Sequence, residues 1–498
     1  MFSGSDHTAH LSLIFAEARF PTTSAIRYDG MVVCCSKLKT VELPSLRLPV
    51  AMALISAVSG FGTRTSAEYD ILTDGLSWQG KRLRAWISSH CSVHGGTLKL
   101  RASKVDSKVE MDVLGGNFEM SSAKTSSTKT PVATIADSNV VSKYKAAAEV
   151  VNGAIRKVLS ASKEGAKVID LCKLGDAAIE VGLSKQYTKD KKMSKGIAYP
   201  TSVSVNTIVC HFSPGASEEG AEQVLAVGDV VRLQMGAQID GFAAVVGETV
   251  VVGASDASPV TGKAADAIAA AHFAGEAIQR LLKPGNRNMV VTDRVQKIAR
   301  AFGCKPIENT VCHEQKQGDL DGDKQIILNP TDEQRAAFPS CEFAPFEVYL
   351  VDVYVTTGDG HAKKSALRTN IYKKTSTTYQ LKTKAARAVI NEVSQKFSKF
   401  PFTIRSCDDE RKTRMGMIEC TKVGVAQAFE IHEEKAGEAV GQITFTVLVT
   451  PNGVERITQG AAFDPKLIQT DKKIEDTELL ELLQTSTKIK KPTKKPVA

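Results

Sequence analysis

From about residue 137 onward the chain is predicted to be an α/β domain, on three observations. Apolar residues recur there at helical spacing, Val-rich runs alternate as half-buried strands do, and a turn dipeptide splits the longest run. The chain has 498 residues, 42% hydrophobic and 24% charged, an ordinary globular composition long enough for a large core.

The first helix follows Asp137-Ser138, a capping pair, and places Tyr144, Ala148, Val151, Ile155 and Val158 on one face. A second helix sets Val168, Leu171, Ala178 and Val181 on its apolar side. The segment 197–206 (IAYPTSVSVN) reads as a strand entered through a proline. Residues 228–253 form a β-hairpin about Asp240-Gly241, a pair suited to left-handed turn positions. Two helices follow, from about 262 to 283 and from about 292 to 302. They are stopped by Pro284-Gly285 and by Gly303. Strands are expected at 325–328, 347–357 and 443–450. Between the last two, at about 374–435, lies a helical insertion. Its apolar face is Ala386, Val389, Val393 and Phe397, and Lys382, Lys384, Arg387, Lys396 and Lys399 surround it.

The ends differ from this body. Residues 1–119 show no sustained period and read as an unassigned, poorly ordered extension. The segment 120–136 is rich in Ser, Thr and Lys and reads as flexible, with Met120 a candidate biological start. Residues 471–498 hold an amphipathic helix and a tail with five lysines, Lys488, Lys490, Lys491, Lys494 and Lys495. Leu479, Leu482 and Leu483 make an L-x-x-L-L string that could seat in a partner's groove or pack on its own domain.

Ten cysteines are scattered without a C-x-x-C pair, which points to reduced thiols. The longest apolar run, 49–60, is too short to span a bilayer, so no membrane role is expected. A net charge of +9 permits a polyanionic partner without requiring one.

Several phrases in order resemble one family: KGIAYPTSVSVN, CHFSP, GDVVRLQMGAQIDGF, NPTD, EVYLVDV, RMGMIEC, and FTVLVTPNG with RITQG. They are similar to the proliferation-associated, ErbB-receptor-binding proteins, a branch of the type 2 methionine aminopeptidases. The likeness runs from about Val140 to about Gln484. It implies the pita-bread fold, with a domain over 137–470. It also implies where two metals would sit in an active relative: at Gln234, Val245, His313, Asp352 and Thr444, with His211 on the substrate side.

Two divalent ions bring four positive charges, and the active set offsets them with four carboxylates. Among the five positions only Asp352 is an acid, and Val245 offers no donor. The expectation is therefore a non-catalytic homologue without metal or other cofactor. A residual metalloaminopeptidase and a transcriptional or signalling adaptor stand as alternatives. The resemblance further implies partners among large ribosomal subunits, their precursors and RNA, in the cytoplasm and the nucleus or nucleolus. Phosphate contacts would come from the insertion lysines and arginine, from Arg405, Arg411, Lys412 and Arg414, and from the tail.

Overall fold

The structure is a computed structural model that describes residues 133–488 apart from 217 and 219, and the backbone of short strands between 24 and 119. Two compact units divide the chain, Met1–Thr130 and Pro131–Ala498. In the first, Ser24–Tyr28 pairs antiparallel with Met31–Cys35. Thr40–Pro44, Asp70–Asp74 and Lys99–Arg101 form a parallel sheet. Most of the segment 120–136 and the tail lysines 490, 491, 494 and 495 lie outside the described residues.

In the second unit, α1 spans Ser138–Ala161 and α2 Val168–Ser184. The Asp137 side chain accepts from Asn139 N at 2.8 Å, a cap contributing about 1 kcal/mol. The α2 face differs from the expected one. Val168, Cys172, Ile179 and Leu183 are buried, whereas Val181 is 52% exposed. At 100° per residue Val181 stands opposite Ile179 and Leu183, so it could not share their face.

Strand β1 is Lys195–Val205, and β2 (Val230–Ile239) and β3 (Phe242–Val251) form the hairpin. Its turn residues Asp240 and Gly241 have φ of 56° and 81°, as a type I′ turn requires. Helices α3 (Gly262–Leu281) and α4 (Asn288–Ala301) follow, then β4 (Val311–Gln315), β5 (Gln325–Ile327) and β6 (Glu347–Thr356). The insertion contributes α5 (Lys384–Lys396) and α6 (Glu410–Lys422). Strands β7 (Val440–Thr450) and β8 (Gly453–Arg456) and helix α7 (Thr477–Gln484) close the unit.

The main sheet runs β5-β4-β6-β7-β3-β2-β1, antiparallel throughout, with β8 beside β7. Helices α1 and α2 bury one core against β1, β2 and β3. Helices α3, α4 and α7 bury a second against β4, β6 and β7. The halves meet where β3 and β7 share two register pairs, Val246 with Phe445 and Gly247 with Thr444. Gly441 lets α3 approach this seam, because a Cβ there would stand 2.2 Å from the Ala267 carbonyl oxygen.

The insertion has its own small core, in which Ala386, Val389 and Val393 of α5 meet Met417 and Cys420 of α6. Helix α6 was not foreseen. Its signal was Asp409, whose side chain accepts from Lys412 N at 3.0 Å and caps the helix.

Candidate functional site

The seam aligns four residues in one row across the sheet. Gln234 on β2 is in register with Gly247 on β3, Gly247 with Thr444 on β7, and Thr444 with Asp352 on β6. Side chains in one such row share a face. Gly247 makes space for the row: a Cβ there would stand 2.6 Å from Thr444 Oγ1.

The polar groups of the row satisfy one another. Thr444 Oγ1 donates to Asp352 Oδ1 at 2.6 Å, and Gln234 Nε2 donates to Oδ2 at 3.2 Å. Gln442 Nε2 lies 3.5 Å from Oδ1 and 2.7 Å from the Tyr354 hydroxyl, which donates to Gln234 Oε1 at 3.1 Å. Burial raises the Asp352 pKa to about 6, against the pull of hydrogen bonds from Thr444, Gln442 and Gln234. The carboxylate is thus held by neutral donors. Gln442 and Tyr354 were missed from the sequence, although each lies two residues from a member of the row and so on the same strand face.

The other positions separate. Val245 is fully buried in an apolar cluster with Tyr199, Leu350, Ile371 and Phe400, so hydrocarbon fills the place of the second carboxylate. His313 is in register with Leu350, and its Nδ1 is buried without a hydrogen-bond partner among the described residues. Burial lowers its pKa. His211 has φ of 63° and lies 2.5 Å, through Nδ1, from the Tyr199 hydroxyl. Burial pushes its pKa down to about 3, so the ring is neutral. Among the described residues no group of three His, Cys, Asp or Glu is placed to hold a metal. Val245, Thr444 and Gln234 do not fit a two-metal centre, which needs anionic oxygens at those positions.

The basic candidates divide. Arg405 is a correction, because it is not available to a surface ligand. Its guanidinium pairs with Asp176 at 2.7 Å and donates to Ser213 Oγ and the Pro214 carbonyl, both at 3.1 Å. Arg414 likewise turns inward, to Glu218 and to Asn370 Oδ1 at 3.2 Å. These two arginines fasten the insertion to the domain, since the permanently charged guanidinium suits buried carboxylates. Lys396 is shared by Glu392 at 2.8 Å and Asp408 at 2.6 Å, and Lys412 pairs with Asp409 at 3.0 Å. Arg387 caps the Leu381 and Lys382 carbonyls at 2.8 and 2.9 Å. Lys382, Lys384, Lys399, Arg411 and Lys488 are exposed, and none forms an ion pair among the described residues. On α6, Met415 and Ile418 stand 66% and 68% exposed between Arg411 and Lys422, a surface not foreseen.

The leucine string of α7 is used internally. Leu479 is 1% exposed, and Leu482 and Leu483 pack on the core around α3. Arg294 pairs with Glu478 at 2.6 Å and holds the helix down. Of the two readings of these leucines, the structure has them packed on their own domain, and a groove could take them only after α7 leaves its core.

Residues 142–337 match Metallopeptidase family M24. The "Curved DNA-binding protein" of Schizosaccharomyces pombe is 43% identical over 73% of this chain and 95% of its own length. "ERBB-3 BINDING PROTEIN 1" of Solanum tuberosum is 42% identical over 72% and 90%. The chain belongs to the proliferation-associated, ErbB-3-binding protein family. A solved thermophilic Arx1 superposes with a TM-score of 0.67 at 31% identity, covering 71% of this chain and all of that one. The chain has the pita-bread architecture of this family. In this family member the seam holds the Asp352 network.

Proposed function

We propose that this protein is a non-catalytic aminopeptidase homologue that binds RNA and ribosomal particles through the exposed basic surface of its insertion. The observation that carries the reading is the set Lys382, Lys384, Lys399 and Arg411, exposed and without ion-pair partners among the described residues. Such cations contact phosphates and release counterions, which gives affinity with little sequence preference. The insertion presents them on and beside a packed helix pair anchored by Arg405, so the surface is preorganised. The donor set at the seam supports the loss of metal-dependent hydrolysis, because it supplies one carboxylate where two dications need several. The S. pombe relative is named for binding curved DNA, and the thermophilic neighbour is an Arx1. The proposed places of action are the cytoplasm and the nucleus, nucleolus included.

Co-sedimentation with large ribosomal subunits at rising salt tests the proposal. The folded protein should pellet with the particle at low salt and dissociate as salt rises. Alanine at Lys382, Lys384 and Arg411 should weaken binding and flatten the logarithmic salt dependence by roughly 0.7 to 0.9 per lost phosphate contact. A folded protein that stays in the supernatant at low salt would refute it.

A further inference from the structure

A second polar site lies on the helical face of the sheet, away from the Asp352 row. A cavity of about 150 Å³ opens there between β3, β7 and α3, beneath residues 459–463. Glu248 follows Gly247 on β3 and so points to the opposite face from the row. Its Oε2 is buried, beside Gly460, with no hydrogen-bond partner among the described residues.

Arg456 lines the same cavity. Its guanidinium lies 4.1 Å from the Phe445 ring centroid, and Nε donates to the Thr458 carbonyl at 2.9 Å. One of its nitrogens stands 3.7 Å from Glu276, a carboxylate that Arg280 already holds at 2.6 Å. No ion pair joins Arg456 to Glu248. The space therefore separates the unpartnered Oε2 of Glu248 from a guanidinium that shares Glu276 with Arg280. His272 and Phe463 stack at 4.2 Å and form an apolar wall, and exposed Ala461 and Ala462 border the mouth.

We propose that this cavity binds a small α-amino acid as its zwitterion, with the ammonium on Glu248 and the carboxylate on Arg456. A buried carboxylate without a donor is costly, and an ammonium supplies charge and hydrogen bonds together. Methylamine would leave Arg456 unanswered, and acetate would leave Glu248 unanswered. The cavity has room for a small amino acid such as glycine, alanine or serine.

The charged groups around the ligand are Glu248 from β3, His272 and Glu276 from α3 with Arg280 behind Glu276, and Arg456 from β8. Burial pushes Glu248 up to about 8 and His272 down to about 4. Glu248 is thus mostly protonated at neutral pH in the empty cavity. Binding an ammonium should release that proton, and affinity should rise with pH toward about 8.

Titration calorimetry of the full chain with L-alanine tests this, with methylamine, acetate and L-tryptophan as controls. L-alanine should bind saturably, in about the millimolar range, with proton release seen by comparing buffers of different ionisation heat. Glu248→Gln should weaken binding by about tenfold or more, and Ala462→Trp at the exposed mouth should abolish it, with circular dichroism verifying both folds. Absence of binding heat for L-alanine would overturn the proposal. So would methylamine or acetate binding as tightly, or unchanged affinity in the two folded variants.

Discussion

The Thr444 hydroxyl donates to Asp352 Oδ1 at 2.6 Å, across the register pair that joins β7 to β6. A threonine here does what a cation would do for a lone carboxylate, at lower strength: it gives the buried oxygen a donor. Gln234 and Gln442 supply the others, so the row is satisfied within the protein.

Removing that donor should be felt directly. Thr444→Val keeps the shape and leaves Oδ1 short of its best partner, so urea denaturation should show a loss of about 1–3 kcal/mol. A change within error would mean that the Gln442 amide carries Oδ1 alone.

Asp352 should also mark the pH dependence of stability. Its folded pKa, about 6, lies above the ordinary carboxyl value, so the folded state holds the proton more tightly than the unfolded chain. The favourable contribution is complete below the unfolded value and is lost as pH rises through about 4 to 6. Relative to Asp352→Asn, the wild type should lose about 2–3 kcal/mol between pH 4 and pH 7. Equal pH profiles for the two proteins would contradict the assignment.

Gly247→Ala should disrupt the same row from its middle, since the added methyl meets Thr444 Oγ1. Overpacking of this kind costs about 1–3 kcal/mol. Thermal melting provides the measure.

Added cobalt or manganese should leave the melting temperature unchanged, because a ligand stabilises only by binding the folded form. The same samples should release no methionine from a short peptide. A dose-dependent rise in melting temperature with either metal would reopen the metallopeptidase alternative.

Arg405→Ala should loosen the insertion by leaving Asp176, 9% exposed, as an uncompensated buried charge. The expected cost is about 3–5 kcal/mol, read by denaturation, with faster proteolysis within 374–435. Arg411→Ala, on the exposed face, should change stability by less than about 0.5 kcal/mol.

Most helices and the long strands of the second unit could be read from spacing, because local hydrogen bonding and one buried face write a period of 3.6 or 2 into the chain. The Asp240-Gly241 turn was as plain, since few residue pairs accept positive φ twice. Val181 misled because Val168, Leu171 and Ala178 drift round the helix, and only the contact with the sheet selects the buried side.

Chemistry was legible where a residue type excludes a role: the Val245 side chain cannot ligate a metal in any fold. Arg405 and Arg411 carry the same charge six residues apart, yet one lies against Asp176 and the other faces solvent. Nothing local separates them. Partner choice for Asp352, Arg405 and Leu479 depends on chain segments brought from 92, 229 and about 200 residues away. Periodicity and donor chemistry belong to each segment alone, whereas burial and pairing arise only when the segments meet, because desolvation is a property of the assembled neighbourhood.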